Sequence, residues 1–505
     1  KFNLINDTVD SGNISYETLN SEIATVNQDG TIHAKKMGTV EIIVTHQITH
    51  KTATIFVQVV PEGKVTVPKL EIGNTHSAAL KADGTVWTWG NNSNGQLGTG
   101  NNTSKTSPIK VMNIQDVIDL SVGYYDTAVV KKDGTVWTWG YNGYGQLGEG
   151  TSSDRTTPVQ VIKPDGAPLT KIVKVSAGTY RTVALDEEGN VWVWGYGYGS
   201  TATKLTTINN VIDISPNYAV TQTGEVYKID GQKLTISNII RVSEGANHAL
   251  FLTKTGKGYS VGTNNKGQLG DGTTVNKNSP VMIQNSTGIQ TLSEIKELKA
   301  GTEYSMAIMK NGDTYTWGSN ENSKLGTTQD NYTVYPKKNE QTNPSIFGAA
   351  GPNNTGIIDE QGYVYTWGLG KYGNLGNRLY NTTSEPVLVG AEEAGLDEYD
   401  IILHPGETHQ IIVTNKTFNV LKEIQETGTI NYNIGNSGIA SISSTGLVTG
   451  QKEGKTTAIV TKADTGATSI ANVTVLPEGV EIEPMALTCM SHTVVLKANG
   501  TVWAY

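Results

Sequence analysis

The chain of 505 residues is long enough for about three or four domains. Its formal net charge of −9 argues against a surface built for phosphate backbones, whose affinity rests on Lys and Arg contacts. A single cysteine, Cys489, excludes an intrachain disulfide framework and a thiolate zinc cluster, and no apolar run approaches the ~20 residues that span a bilayer.

Glycine at 57 residues, a charged content of 17% and frequent Thr, Val, Ile and Tyr describe short strands joined by tight turns, without a capped pattern of helical period. From the N-terminus, Asn20–Val26, the Asp29-Gly30 turn, Gly38-Thr39 and the alternating run Ala53–Val59 predict a small β-sandwich over residues 1–63 that lacks its first strand. His46 and His50 fall in or near one of its turns and are read as solvated, since no metal-ligand spacing surrounds them.

Residues 64–396 repeat a short unit. GTVWTWG occurs at Gly84–Gly90 and Gly134–Gly140, with variants at Gly189–Gly195, Gly256–Gly262, Gly312–Gly318 and Gly362–Gly368. A decayed copy, Gly224–Tyr227, sits in the 67-residue gap between Gly195 and Gly262 and brings the count to seven. In each full unit an apolar strand such as Val117–Val122 leads through a Gly-aromatic turn to a second strand. An Asp-Gly or Asn-Gly hairpin and the aromatic strand follow. A loop ending in Gly-Gln-Leu-Gly (Gly95–Gly98, Gly145–Gly148, Gly267–Gly270) precedes a last strand, which Pro108, Pro158 and Pro280 are expected to open. Four short strands per unit make one propeller blade. The third and fourth units lack Gly-Gln-Leu-Gly, which predicts a trimmed rim there.

Residues 397–479 read as a second sandwich, with Ile439–Ile442, Thr445–Val448, Gly454-Lys455 and Ala471–Val475, and an opening strand at Tyr399–Leu403. Residues 480–505 read as the start of a further propeller, cut short. A shift of 416 residues lays the first 89 residues on the last 89 without a gap, roughly a third of them identical. This predicts a window on a longer tandem array, its missing end strands lying elsewhere in the same chain or in a neighbour.

The repeated unit resembles the regulator of chromosome condensation repeat family, over roughly two-thirds of the chain, and the resemblance implies a seven-bladed propeller. The flanking motifs resemble the group 2 bacterial immunoglobulin-like domain, which implies a bacterial surface or secreted protein. The expected fold is all-β: a seven-bladed β-propeller flanked by immunoglobulin-like sandwiches.

A search for chemistry finds no metalloprotease motif, phosphate loop, nucleophile elbow or paired carboxylates. The chain is read as non-enzymatic, with no catalytic residue, cofactor or metal. His76, His248 and His492 share one repeat position and read as structural. The Asn- and Asp-rich loops 91–103 and 271–276 read as turn chemistry rather than calcium sites, and the Trp pairs (Trp87/Trp89, Trp137/Trp139, Trp192/Trp194) as inter-blade packing.

Two functions fit. One is an extracellular structural or adhesive protein, its sandwich–propeller units strung at the 416-residue period into a stalk or fibre that self-associates. The other is a secreted propeller that binds or inhibits a protein, or holds a surface glycan, through exposed loop tyrosines: Tyr124, Tyr125, Tyr141, Tyr144, Tyr180, Tyr196 and Tyr198. Certain secreted bacterial propellers of this family, which the chain resembles in architecture, inhibit β-lactamases through one loop-lined face. Nucleotide exchange on a small GTPase with chromatin binding, the reading carried by the family name, is opposed by the acidic balance, and nucleic acid is not an expected partner.

Overall fold

The computed structural model describes residues 14–327, 331–390, 395–396, 400–411, 413–414, 418–421, 429–463, 468–480, 485–489, 492–496 and 502–504. These fall into two compact units: one within 1–390 together with 419–422, the other within 391–418 and 423–505.

In the first unit seven antiparallel sheets follow one another along the chain, at 69–110, 117–160, 172–204, 211–228, 239–282, 295–338 and 345–388. Six have four strands in sequential order and the fourth has three. The cores lie between neighbouring sheets, so each blade is stabilised by the next. Val129 and Trp139 of blade 2 share an apolar cluster with Ala78 and Leu80 of blade 1, and Trp194 of blade 3 shares one with Ala128 of blade 2.

The loop after the third strand carries the joint. Trp139 Nε1 donates to Gln96 O at 2.9 Å, Trp194 Nε1 to Gln146 O at 2.8 Å and Trp317 Nε1 to Gln268 O at 3.0 Å. Trp367 and Trp89 do the same to Lys324 O and Asn374 O, the second bond closing blade 7 onto blade 1. All five indoles are fully buried. At the two remaining seams, Ile229 and Val261 stand where the indole would be, both buried. The blades before those seams are the ones that lack the Gly-Gln-Leu-Gly loop. The buried, hydrogen-bonded part of the inter-blade joint thus belongs to the second tryptophan of each pair. Trp87 and Trp137 are half-buried and donate to Thr85 and Thr135 of their own hairpins, and Trp137 also packs against the cluster between blades 1 and 2.

The prolines lie deeper than expected. The outer strands begin at Lys105, Arg155 and Lys277, three residues before Pro108, Pro158 and Pro280. In all three the pairing with the third strand shifts register at that stretch. A bulge on an outermost strand leaves a residue without a ladder N–H, which suits proline. Blade 4 recovers part of its missing strand: Leu234 N donates to Val226 O at 2.9 Å, so residues after the third strand fold back along its edge.

The first sandwich pairs Ile14–Thr18, Gly38–His46 and Thr52–Val59 in one sheet and Ala24–Val26 with Ile32–Ala34 in a hairpin. It covers the propeller face that carries the Asp-Gly hairpins. Leu19 and Ile43 enter a cluster with Ile212, Val242 and Phe251, Glu41 pairs with Arg241 at 2.8 Å, and Glu22 pairs with Lys310 at 2.9 Å.

The second unit holds a fuller sandwich. Asp400–Leu403 runs parallel to Thr468–Val475 and adds a fourth strand, and Thr408–Gln410 widens the opposite sheet. Its core is Ile401, Leu403, Val448, Val460 and Val473 with their neighbours. The sandwich begins before the expected boundary, since Gly395-Leu396 pair with Val413-Thr414. It is also interrupted: residues 419–421 return to the propeller, where Ala82 N donates to Val420 O at 2.7 Å and Val420 N to Gly362 O at 2.9 Å across the seam of blades 7 and 1.

The 416-residue period holds in the backbone register. Gly38 pairs with Val59 and Gly454 with Val475; Ile14 pairs with His46 and Ile430 with Lys462. Among residues 485–504, Met485 pairs with Leu496 as Lys69 does with Leu80. Tyr505 and the residues flanking these strands lie outside the described set, as does the side chain of His492.

Candidate protein-binding face

Because consecutive strands are antiparallel, every Gly-aromatic turn and every Gly-Gln-Leu-Gly loop emerges on one face of the ring, and every Asp-Gly hairpin on the other. The first sandwich occupies the hairpin face, and among the described residues of this unit the turn face is left uncovered. At the turns the blades approach so closely that a Cβ on Gly73 would sit 2.6 Å from Gly123 O, and one on Gly123 would sit 2.6 Å from Gly178 O. The glycine of the Gly-aromatic turn is thereby required by the neighbouring blade. Together these turns line a funnel of about 270 Å³ at the channel mouth.

Six of the seven sequence-predicted tyrosines form one continuous path from this mouth outward across blades 2 and 3. Tyr124 lines the funnel and meets Tyr125 edge to face at 4.8 Å between ring centroids. Tyr125 meets Tyr141 at 6.4 Å, Tyr141 meets Tyr144 at 6.3 Å, and Tyr144 meets both Tyr180 at 4.6 Å and Tyr196 at 5.6 Å. The first three rings are half-buried, whereas Tyr144, Tyr180 and Tyr196 are 43%, 48% and 64% exposed. Tyr198 does not join them. It sits half-buried in the tight turn that replaces the blade-3 loop, packs on the cluster between blades 3 and 4, and lies under the Arg181 guanidinium at 5.8 Å.

Two neighbours escaped the sequence reading. Asn74 Nδ2 donates to the Tyr125 hydroxyl at 3.1 Å from blade 1. Tyr372 lies near Tyr124, whose phenol pKa is raised by burial first and then by Tyr125, Tyr180 and Tyr372. Tyr372-Gly373-Asn374-Leu375-Gly376 is a close variant of Tyr144-Gly145-Gln146-Leu147-Gly148, and aligning the two would have revealed it.

Beneath the path lies Asp126, fully buried, its carboxyl pushed well above the ordinary range by desolvation. At the mouth, burial likewise raises Glu244, which accepts from Ser215 Oγ at 2.9 Å and from Asn217 N at 2.8 Å. His76 and His248 occupy the same repeat position as Asp126. Their Nε2 atoms meet Thr127 Oγ1 at 3.1 Å and Ser305 Oγ at 2.8 Å on the next blade, and burial lowers their pKa values to about 3 and about 4. They are neutral inter-blade linkers.

The Asn-rich loops are organised from within. Asn92 Nδ2 donates to Asn101 O and Thr103 O while its Oδ1 accepts from Leu97 N, and Asn142 repeats the pattern. Asp271, the carboxylate of the third such loop, accepts from Asn264 and Thr273 and pairs with Lys277 at 3.2 Å. His46 accepts from Thr49 N in its turn at 3.2 Å. Among the described residues no three His, Cys, Asp or Glu side chains converge as a metal site would require, and no helix is long and apolar enough to cross a membrane.

Comparison with known proteins matches residues 30–412 to the RCC1-like domain and residues 397–473 to the bacterial Ig-like domain, group 2. The ultraviolet-B receptor UVR8 of Arabidopsis thaliana is 29% identical over 213 residues, 42% of this chain and 44% of the receptor. The human E3 ubiquitin-protein ligase HERC2 is 31% identical over 165 residues, 31% of this chain and 3% of the ligase. The chain thus spans less than half the length of these relatives. Among solved structures, Prp20p of Saccharomyces cerevisiae superposes with a TM-score of 0.53 at 21% identity, over 60% of this chain and 85% of that one, which supports the propeller fold.

Proposed function

From the premise that this chain belongs to the RCC1-like domain family and carries a group 2 bacterial Ig-like domain, we propose that it is a non-enzymatic, extracellular protein-binding propeller. Its partner docks on the turn face over blades 2 and 3. The observation that carries this reading is the tyrosine path: six rings in contact, three of them well exposed, on the face that the first sandwich leaves open. Tyrosine supplies large, rigid contact area with a hydroxyl for orientation, and such residues dominate interface hot spots. A protein suits this surface better than a glycan. The rings meet edge to face and tilted, so they do not form one flat platform for sugar stacking.

Prp20p, the yeast propeller of similar fold, is described with binding to Gsp1p and histones. By analogy of architecture alone, protein binding is the expectation here, with a different partner. The test is a binding comparison between the wild type and a Tyr144→Ala/Tyr180→Ala/Tyr196→Ala variant, with Met112→Ala, also strongly exposed, as control. Loss in the triple variant alone supports the assignment, and equal binding by all three proteins rejects it.

A second reading is favoured by a separate observation. The strand register of the first sandwich and of blade 1 recurs 416 residues later, which supports a tandem sandwich–propeller array of structural or adhesive character. Electron microscopy of the native material should then show beads at a regular spacing. Single compact particles would remove this reading and leave the first intact.

A further inference from the structure

The channel end opposite the tyrosine path is roofed by the first sandwich, and between roof and blades lies a chamber of about 430 Å³. That volume falls in the range of small-molecule sites. Its walls mix Phe56, Ile240 and Phe347 with eight cationic side chains and five carboxylates, and three further carboxylates, Glu17, Glu71 and Glu294, pair with these cations from outside the lining.

The five carboxylates are all engaged. Asp119 pairs with Lys69 at 3.0 Å, Glu297 with Lys299 at 3.2 Å and Asp213 with Lys174, while Glu41 and Glu22 form the sandwich contacts with Arg241 and Lys310. Lys36, from the sandwich, and Lys296, from blade 6, have no carboxylate within ion-pair distance among the described residues. The Lys296 ammonium donates to Ile346 O at 2.6 Å and stands 5.1 Å from the centre of the Phe347 ring. Burial lowers its pKa most; the Glu297 carboxylate opposes that shift and the Lys36 charge adds to it. Lys36 and Lys296, neither in an ion pair among the described residues, stand beside an aromatic wall, one at the exposed rim and one half-buried, and give this part of the chamber a cationic side and an apolar side.

We infer that this chamber is a binding site for a small amphiphilic anion, a carboxylate or sulfonate with an apolar body, held by Lys36 and Lys296 with its body against Phe347. Such a ligand pairs with both ammonium groups and fills the apolar part of the chamber. It also bridges the sandwich to blade 6, so its binding stiffens the joint between them. The inference is independent of the tyrosine face, which lies at the other end of the channel.

The test uses the full chain and the fluorescent probe anilinonaphthalene sulfonate. One probe per chain should bind. Octanoate should displace it, while octylammonium, of equal chain length and opposite charge, should not. Lys296→Glu should weaken the probe about tenfold. If that variant fails to fold, Lys36→Glu, at an exposed position, should still weaken it about threefold. Tyr144→Ala/Tyr196→Ala should leave probe binding unchanged. Displacement by both amphiphiles alike, charge reversals without effect, or no stoichiometric binding of the probe would each overturn the inference.

Discussion

Trp137 and Trp139 stand two residues apart on one strand and point to the same side, yet they should differ sharply in what they contribute. Trp139 is fully buried between blades 1 and 2, and its indole N–H bonds to Gln96 O of the preceding blade at 2.9 Å. Replacing it with alanine empties an indole-sized volume in a joint that cannot collapse, because Leu80, Val129 and Val117 are themselves held by strand pairing. Truncations of this kind cost about 3–5 kcal/mol. The lost hydrogen bond falls within that figure, and Gln96 O keeps the Thr127 hydroxyl at 3.1 Å as a partner. Trp137 is half-buried and bonds only within its own hairpin, so Trp137→Ala should cost about 1–2 kcal/mol. Urea unfolding of the full chain followed by far-ultraviolet circular dichroism reads both midpoints. Because the chain has more than one unit, the comparison is made on the propeller transition. Equal shifts for the two variants, or a larger one for Trp137→Ala, would refute the view that the loop-to-indole joint holds the ring together.

Other predictions follow the same logic. His76 and His248 have folded pKa values below the ordinary 6.5, so the unfolded chain binds the extra protons and stability falls as pH drops from about 6.5 toward 4. At pH 5 the loss is about 2 kcal/mol for each, and a His76→Gln/His248→Gln variant should flatten the acid limb of a stability–pH curve. Asp126 carries the opposite sign. Its folded pKa is raised, so its cost grows as pH rises above 3.8, and Asp126→Asn should stabilise the protein by about 1–3 kcal/mol at pH 7 with no gain at pH 3. Glu41→Ala leaves Arg241 partly buried without its carboxylate and should loosen the first sandwich by about 3 kcal/mol, read as earlier proteolysis of the 14–59 segment. Gly123→Ala should lower the propeller midpoint, since its Cβ would meet Gly178 O at 2.6 Å.

The parts of this fold that were legible in sequence are those repeated often enough to expose their rule. The hairpin signal Asp-Gly and the alternation of the aromatic strand gave away the strand order within each blade, and the shortened third and fourth units announced a trimmed rim, although only the fourth loses a strand from its sheet. What escaped was set by partners distant in sequence. That the second indole of each pair reaches back to the preceding loop becomes visible only when Ile229 and Val261 are noticed beside the two missing loops. The return of residues 419–421 to the propeller has no local signal, because an extended Asn-Val segment reads the same on either unit. The tyrosine group was legible as a list but not as a path. Tyr198 lies beside Tyr196 in sequence, yet the tight Gly195–Gly199 turn carries it off the path, and Tyr372 sits in a loop that carries Asn374 in place of Gln. The chamber under the first sandwich could not be read at all, since Lys36 and Lys296 are 260 positions apart.

The most direct test of the protein-binding face is site-specific photocrosslinking in the native source. A benzoylphenylalanine placed at Tyr144, at the centre of the path, is compared with one at Lys132, exposed on the opposite hairpin face. A discrete protein adduct from Tyr144, abolished by Tyr180→Ala/Tyr196→Ala and absent from Lys132, is the predicted result. Adducts from Lys132 with none from Tyr144 would place the partner on the wrong face and contradict the account.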